Sequence, residues 1–268
     1  MTPRDRMIRA YDRALRSNYY RQYFDNSGFY NFGYWARSAQ SQREASENLV
    51  DELIGRIAIS GGRILDVACG PGGTVRQLMC HYEPDMITAV NISEGEITEA
   101  RKRAPDCTFC LMDATRLGFP ENQFDAIICV EAAFHFDSRD AFLREALRIL
   151  KPGGSLVLSD MLFREFMRPI AEFGQVPRAN FVRDASEFRT RLEVAGFETI
   201  AVEDGTQSCL GGFRRHLRRW PTAEYLAGRI NLHQSVGLSV MSWAAAAYFG
   251  AVCKTYLLAS ARKPRIAQ

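Results

Sequence analysis

The sequence predicts an α/β fold in which helices cover both faces of a mainly parallel sheet. Short apolar runs alternate with helical patterns, and this alternation implies parallel strands joined by right-handed crossovers. The first apolar run, which begins at Ile64, leads directly into the glycine-rich turn Gly70-Pro71-Gly72-Gly73. The 268 residues of the chain are enough to bury the core of one large domain.

The first 58 residues predict a helical lid. Residues 6–24 place apolar or aromatic side chains at nearly helical spacing, and Ser41 to Ala58 shows a second helical pattern. The segment between them, Gly28 to Trp35, is unusually aromatic for a stretch punctuated by glycines. Its aromatic side chains either pack the lid onto the sheet or line a pocket beneath it, and both roles are compatible.

Residues 59–204 predict the core sheet and its helices. We expect strands at residues 63–67, 86–91, 107–111, 124–130, 155–160 and 196–202, and helices at residues 74–80, 94–103, 139–150 and 187–195. Residues 205–250 predict an inserted helical stretch. Residues 251–268 predict a final strand, at 254–261, and a tail.

The segment from Val236 to Cys253 carries no charged residue over about the length of a membrane span. Glycine and serine interrupt it and alanine is frequent in it, so its drive into lipid is weak. We therefore expect a buried helix that runs into the last strand in preference to a membrane segment, and contact with a membrane surface stays open as the lesser alternative.

The glycine-rich turn predicts a nucleotide-like cofactor. Glycine has no Cβ and adopts positive φ angles readily, so a ligand can approach the main chain closely. The dinucleotide fingerprint G-x-G-x-x-G, counted from Gly70, would place a glycine at position 75, where Val75 stands. A pyrophosphate cradle is therefore disfavoured.

The run from Ile64 to Gly73 resembles motif I of the class I S-adenosylmethionine-dependent methyltransferases, in which an acidic residue precedes a glycine-rich turn. Four later segments resemble, in order, that family's second strand, adenine-contacting segment, fourth strand and turn before the fifth strand: residues 87–93, 112–114, 124–131 and 150–154. The resemblance implies S-adenosyl-L-methionine as cofactor and a Rossmann-like seven-stranded sheet whose last strand is antiparallel. It also places the helical insertion beside a small-molecule acceptor, as in the natural-product methyltransferases of the family.

The same resemblance assigns the cofactor-binding residues. Asp66 would organise the turn and face the amino end of the cofactor, and Asp113 would accept the adenine amino group. Asn91 stands where the family usually has an acidic residue for both ribose hydroxyls, and a neutral amide binds them less strongly than a carboxylate. The predicted set is Asp66, Ala68, Gly70, Gly72, Asn91, Ile92, Asp113, Ala114 and Glu131.

His135 is the predicted general base. It follows the fourth strand, and ligands of open α/β sheets bind at the carboxyl ends of the strands. With an unperturbed pKa of about 6.5, a histidine there can take a hydroxyl proton near neutral pH. Asp160, at the end of the predicted fifth strand, is its predicted partner because both strand ends open into one cleft. A structural His135 that caps the next helix is the alternative.

A small, largely apolar acceptor is predicted from the aromatic character of the lid and the insertion. The residues expected to contact it are Tyr30, Tyr34, Trp35, Phe136 and Phe213. O-methylation suits the pair formed by His135 and Asp160. Three alternatives stay open. The first is C- or N-methylation by proximity alone, and the second is a nicotinamide-dependent oxidoreductase, which would want the glycine at position 75 and an acid closing the second strand. The third is a non-catalytic relative that holds a ligand or a partner.

The composition restricts partners and location. With 34 basic and 31 acidic residues, the net charge of +3 is too balanced to indicate nucleic-acid binding. The seven cysteines are scattered, which favours reduced thiols in a cytoplasmic protein, and the N-terminal segment lacks the apolar core of a signal peptide. The histidines lack metal-site spacing, so no metal is predicted. A homodimer is among the assemblies that the sequence allows.

Overall fold

The structure is a computed structural model that describes residues 3–58, 61–173 and 176–265. In these ranges seven strands form one sheet with the order β3-β2-β1-β4-β5-β7-β6. The strands are β1 (Ile64–Val67), β2 (Ile87–Asn91), β3 (Thr108–Leu111), β4 (Phe124–Val130), β5 (Leu150–Phe163), β6 (Glu198–Asp204) and β7 (Cys253–Arg262). Strands β1 to β5 are parallel, and β7 lies antiparallel between β5 and β6. The predicted fold class, including the antiparallel last strand, is confirmed.

The helices that the structure describes are α1 (Pro3–Arg16), α2 (Asn18–Tyr23), α3 (Gln42–Ile54), α4 (Gly73–Leu78), α5 (Glu94–Arg103), α6 (Arg139–Ile149), α7 (Arg168–Phe173), α8 (Ala185–Ala195), α9 (Gly212–Leu226) and α10 (Leu232–Val252). Several begin at side chains that cap free backbone N–H groups. Ser93 accepts from Glu96 N, Ser138 from Ala141 N, and Asn231 forms a capping box with Gln234. These polar residues fix where α5, α6 and α10 begin.

The sheet has a hydrophobic core on each face. Alternate residues of β4 point to opposite sides, so Ala126 and Ile128 join one core while Ile127 and Cys129 join the other. The first core packs against α3, α4, α5 and the lid, and the second packs against α6 and α8. Helices on both faces therefore leave the carboxyl ends of the strands as the accessible edge.

Two local expectations are corrected. The predicted helix over residues 6–24 is two helices, because Ser17 is extended and caps α2 by accepting from Tyr20 N. Residues 150–154, expected as a turn, are the start of β5; Leu150 pairs with Phe124 before the register shifts. The domain boundaries at residues 58, 204 and 250 stay predictions.

The expectation of a buried helix over Val236 to Cys253 is wrong in one respect. The helix forms as α10 and runs into β7, but only 28% of its most apolar stretch is buried. By length and composition it is the one helix in the described residues that could cross a membrane. Its apolar composition could not distinguish a buried helix from an exposed one.

Candidate active site

A cavity with an empty volume of about 1040 Å³ lies at the carboxyl ends of β1, β2 and β4. Helix α1 and the lid segment from Gly28 to Asn31 supply the other walls. Small-molecule sites are clefts of this kind, lined mainly by apolar side chains with a few polar groups. The predicted site residues that line it are Ala68, Gly70, Asn91, Ile92, Asp113, Ala114, Glu131, His135, Tyr30 and Phe136.

The glycines of the turn face different parts of the molecule. A Cβ at Gly70 would meet no atom within 4 Å, so this residue faces open space in the cavity. A Cβ at Gly72 would lie 2.9 Å from Ala100 Cα, and one at Gly73 would lie 2.7 Å from Phe29 N. The missing Cβ of Gly72 lets α5 pack against the turn; Gly72 is not among the described residues that line the cavity, and its contact with the cofactor stays a prediction.

The Gly73→Ala variant should loosen the lid. Its Cβ would overlap backbone atoms that cannot swing away, and such overpacking costs about 1–3 kcal/mol of unfolding free energy. Urea denaturation and proteolysis of the N-terminal segment measure the two effects. Gly237→Ala is the control, because a Cβ there meets nothing within 4 Å in a helix, where alanine is about 0.5–1 kcal/mol better than glycine. If Gly73→Ala were as stable and as resistant to protease as the wild-type chain, the close contact between Gly73 and the lid backbone would be contradicted.

Asn91 and Glu96 form a hydrogen-bonded pair at the end of β2. Asn91 Nδ2 donates to Glu96 Oε2 at 2.8 Å, and Asn91 Oδ1 accepts from Ser93 N at 3.1 Å. Glu96 also lines the cavity, is 4% exposed, and has no hydrogen-bond partner for Oε1 among the described residues. Burial raises the pKa of Glu96 to about 7, and the bond from Asn91 opposes that rise. The carboxylate that β2 lacks at its end is thus supplied from the first turn of α5.

Two further buried oxygens near the glycine turn have no partner among the described residues. Asp66 Oδ2 belongs to a side chain that is 1% exposed, so Asp66 lies behind the cavity wall and is not part of its lining. Burial raises the pKa of Asp66 to about 8. Asn31 Oδ1, in the lid, is the second such atom, and Asn31 lines the cavity.

Glu131 joins the lid to the sheet. Its Oε1 accepts from Phe32 N and from the Tyr256 hydroxyl, both at 2.6 Å. Burial raises the pKa of Glu131 to about 8, while these two donors oppose the rise. The backbone of Glu131 has a φ of 50°, which turns the chain sharply after β4. Glu131 thus combines a place in the cavity wall with a structural link that the sequence did not predict.

Asp113 lies in the cavity wall and also shapes the turn after β3. Its Oδ1 accepts from Thr115 N at 2.8 Å and from Thr115 Oγ1 at 2.7 Å. The position of Asp113 in the wall is compatible with the predicted adenine contact as well as with this role in the turn. Met112 and Ala114 flank it in the same wall.

His135 ends a short 3-10 turn, Ala133–His135, at the cavity. Its ring meets Tyr11 of α1 edge-on, with the ring centroids 5.9 Å apart. Burial raises the pKa of Tyr11 above its usual range, so this phenol stays protonated. Helix α1 of the lid therefore contacts the turn after β4 at His135.

The predicted partnership of Asp160 with His135 is corrected. Asp160 is fully buried, and its Oδ2 lies 2.7 Å from Nε of Arg139, which is also fully buried. Its Oδ1 accepts from Met161 N at 2.8 Å. Because β5 continues to Phe163, Asp160 sits inside the strand, where it faces α6 and not the cleft.

Three of the five aromatic residues predicted to contact the acceptor serve packing. Among the described residues that line the cavity are Tyr30 and Phe136, but not Tyr34, Trp35 or Phe213. Phe213 stacks on Phe32 of the lid at 4.3 Å, and Trp35 packs against the backbone of α9 at Gly212. Tyr34 packs against the core. These side chains join the lid to the insertion.

Residues 65–158 match the protein family described as "Methyltransferase domain". The 27-O-demethylrifamycin SV methyltransferase of Amycolatopsis mediterranei is 31% identical over 189 residues, which cover 65% of this chain and 68% of that relative. The chain belongs to the class I S-adenosylmethionine-dependent methyltransferases. It is an enzyme that methylates small molecules, and its cofactor is S-adenosylmethionine.

Other proteins are also similar to this chain in sequence or in fold. Methyltransferase GfsG of Streptomyces halstedii is 28% identical, with 65% of this methyltransferase and 67% of the relative covered. The [4+2]-cyclase SpnF has a similar structure, with a TM-score of 0.66, 26% identity and 87% of both chains covered. A sarcosine dimethylglycine methyltransferase homologue from Galdieria sulphuraria shares the fold, with a TM-score of 0.72, 17% identity, and 92% of this chain and 98% of the other covered.

The polar atoms of the methyltransferase fit its cofactor. Buried polar atoms in proteins nearly always have partners, and Glu96 Oε1 and Asn31 Oδ1, in the cavity wall, have none among the described residues. S-adenosylmethionine carries donors for them in its amino group and ribose hydroxyls. Glu96, Asn31 and Tyr11 were missed from the sequence; the departure at Asn91, followed five residues later by an acid, was the available signal for Glu96. No group of metal-binding side chains occurs in the part of the chain that the structure describes.

Proposed function

We propose that the enzyme O-methylates a small, largely apolar metabolite and that His135 is the general base. The observation that carries this proposal is the position of His135 in a cavity wall shared with apolar lid residues. Met7 and Ile8 of α1 line the same cavity, as does Phe136. The relative described as a 27-O-demethylrifamycin SV methyltransferase and the O-methyltransferase resE of Aspergillus sclerotiorum, which is 26% identical, support oxygen as the acceptor atom.

The proposed reaction needs one proton acceptor and good alignment. The cofactor supplies an electrophilic methyl group on a sulfonium. The acceptor oxygen forms the new bond to that methyl carbon as the carbon–sulfur bond breaks, and a His135 ring nitrogen takes the hydroxyl proton. A general base of this kind contributes about 10² to 10⁴ in rate. Alignment and the exclusion of water by α1 supply the rest.

We assign the cofactor contacts to the polar atoms around the turn. Glu96 would accept the ribose hydroxyls, because its Oε1 is buried, unpartnered and at the cavity. Asn31 would accept from the amino end, and Asp66, behind the wall, would organise the turn that faces it. Asp113 and Ala114 would contact the adenine, and Gly70 leaves room for the ligand beside the backbone.

Replacing His135 tests the base assignment. His135→Ala should lower kcat by about 10² to 10⁴ while the cofactor Kd is unchanged, measured as transfer of labelled methyl from S-adenosylmethionine into a panel of phenolic and alcohol metabolites. His81→Ala is the matched control, because His81 follows α4 and pairs with Asp51 at 3.0 Å. Unchanged turnover in His135→Ala would remove the base assignment.

The second candidate is C- or N-methylation by proximity alone. It needs no general base in the site, and Asp160, the carboxylate predicted to support one, is engaged with Arg139. A 2-methyl-6-phytyl-1,4-hydroquinone methyltransferase of Synechocystis is 34% identical over 51% of this chain and 44% of the relative, and its name supports small aromatic acceptors. Mass spectrometry and NMR of the product identify the atom that carries the labelled methyl group. That atom distinguishes O-methylation from C- or N-methylation.

We place the enzyme in the cytoplasm. All seven of its cysteines are free, and five of them are buried. Free thiols are typical of reducing compartments.

A further inference from the structure

The outer face of α10 is an exposed apolar surface without charge. Helix α10 contains no Asp, Glu, Lys or Arg over its 21 residues, which corresponds to about 30 Å of helix. Its exposed large side chains are Leu232, Val236, Val240, Met241, Trp243 and Tyr248. Four of these residues, at 232, 236, 240 and 243, follow helical spacing along one stripe. Val240 is 68% exposed and Trp243 is 56% exposed. Large apolar patches of this kind on a protein surface mark interaction sites.

The neighbouring helix α9 adds positive charge to this surface. The guanidinium of Arg218 lies 4.9 Å from the ring centroid of Trp243, and Arg214 Nε donates to Ala246 O at 2.6 Å. Arg215 and Arg219, one turn apart on α9, are exposed. Residues 205–252 contain five arginines and one acidic residue, Glu224, so this segment alone carries +4 in a chain whose net charge is +3.

We propose that the α9–α10 hairpin docks on the surface of an anionic lipid bilayer. Helix α10 lies in the plane of the interface, with its apolar stripe at the boundary of the acyl chains, while the arginines of α9 contact lipid phosphates. Trp243 and Tyr248 have the amphipathic rings that favour this depth. This inference goes beyond methyl transfer and does not depend on the identity of the acceptor.

The contacts of α10 favour an interfacial helix over a spanning one. Its opposite face is buried against the protein at Leu238, Ser242 and Ala246. Ser235 Oγ donates to Pro221 O of α9 at 3.2 Å, and the C-terminal end of α10 continues into β7. A spanning helix would have to give up all of these contacts, whereas an interfacial helix keeps them.

Charge favours a bilayer over a second copy of the chain as the partner. Two hairpins packed face to face would bring two sets of arginines together, and like charges across an interface oppose association. An anionic lipid surface complements the same charge. Helix α7, which contacts α10, adds the exposed apolar residue Ile170, and the 3-10 turn just before α7 adds Phe166.

Flotation of the full chain with lipid vesicles tests the proposal. We expect binding to phosphatidylcholine vesicles that contain phosphatidylglycerol, weaker binding to phosphatidylcholine alone, and loss of binding at high salt. Val240→Glu should reduce the bound-to-free ratio by about tenfold or more, because it places a charge in the apolar stripe. The double variant Arg215→Glu/Arg219→Glu should abolish the preference for anionic vesicles. Val194→Glu is the matched control, because Val194 is 83% exposed on α8.

Three outcomes would overturn the proposal. The first is no binding of the wild-type chain to anionic vesicles, and the second is equal binding by wild type and Val240→Glu. The third is a wild-type dimer, seen by light scattering, that Val240→Glu converts to a monomer, which would assign the surface to a second copy. Cofactor binding by each variant shows that its fold is intact. If Val240→Glu fails to fold, an unchanged preference of Arg215→Glu/Arg219→Glu for anionic vesicles overturns the proposal.

Discussion

Replacing Asp160 by Asn should lower the unfolding free energy of this methyltransferase by about 3–5 kcal/mol, because it leaves the charge of Arg139 buried without a counter-charge. Both side chains of the pair are 0% exposed. A guanidinium cannot lose its proton in a protein, so the variant cannot escape the cost by deprotonation. Asn keeps the size of the side chain and an oxygen for Met161 N, which limits the change to the charge.

The experiment is urea denaturation of four chains. The double variant Arg139→Met/Asp160→Asn should recover much of the loss, because it removes both charges, and the loss of a whole buried ion pair is often close to neutral whereas the loss of one partner is not. Glu99→Gln is the control, because its partner Lys102 is 64% exposed and such surface pairs contribute about 1 kcal/mol or less. A loss under about 1 kcal/mol in Asp160→Asn would mean that Arg139 does not depend on this carboxylate.

The same variant separates a structural Asp160 from a catalytic one. If Asp160 oriented His135 in the reaction, Asp160→Asn would lower kcat strongly at unchanged stability. The contacts predict the reverse, with a large loss of stability and only a small loss of kcat in the folded fraction. Some loss of kcat is expected because Asn180, which accepts from Arg139 N at 2.7 Å, also donates to Phe134 O at 3.1 Å in the turn that carries His135.

The sheet was predictable from the sequence because strands buried on both faces are apolar throughout. The run Phe124 to Val130 is apolar except for Asp125 near its start, and its predicted and observed bounds agree. The position of Asp160 was not predictable in the same way. A side chain can be assigned to the carboxyl end of a strand only if the end of that strand is known. Antiparallel pairing with β7, such as that of Leu162 with Thr255, extends β5 past Asp160. Such long-range pairing leaves no mark near residue 160.

The cofactor half of the site was more predictable than the acceptor half. Gly70 and Asn91 occupy a cavity wall because the glycine turn and the end of β2 are local features. Phe213 was misplaced because aromatic composition does not tell which surface a side chain meets; here the lid residue Phe32 covers it. Glu96 was missed since an acid in the first turn of a helix ordinarily indicates a solvated side chain near the helix dipole.

Replacing Glu96 by Gln should weaken S-adenosylmethionine binding by about 10- to 100-fold. Hydrogen bonds to a charged group contribute about 1.5–3 kcal/mol, and Gln keeps the shape and an acceptor for Asn91 Nδ2 while it removes the charge. Isothermal titration calorimetry measures the Kd. Glu94→Gln is the matched control, because Glu94 lies in the same first turn of α5 and is exposed. A Kd for Glu96→Gln within about threefold of wild type would contradict the ribose assignment.

The pH dependence of binding gives a second, independent readout. Burial raises the pKa of Glu96 from 4.5 to about 7, so the cofactor-free protein favours the protonated carboxyl. The stability that Glu96 contributes in that state is fully present below pH 4.5 and is lost as the pH rises through about 7. Cofactor hydroxyls favour the ionised carboxylate, so binding should release a proton and tighten from pH 6 to pH 8 around that same pKa of about 7.

Glu96→Gln should lose this part of the pH dependence. Asp66 and Glu131 have pKa values raised to about 8, so some tightening at higher pH should remain in the variant. The difference between wild type and variant therefore isolates Glu96, and titrations in buffers of different ionisation enthalpy count the released protons. Identical pH profiles for the two chains would show that Glu96 stays protonated in the complex, and the carboxylate could not then be the group that compensates for Asn91.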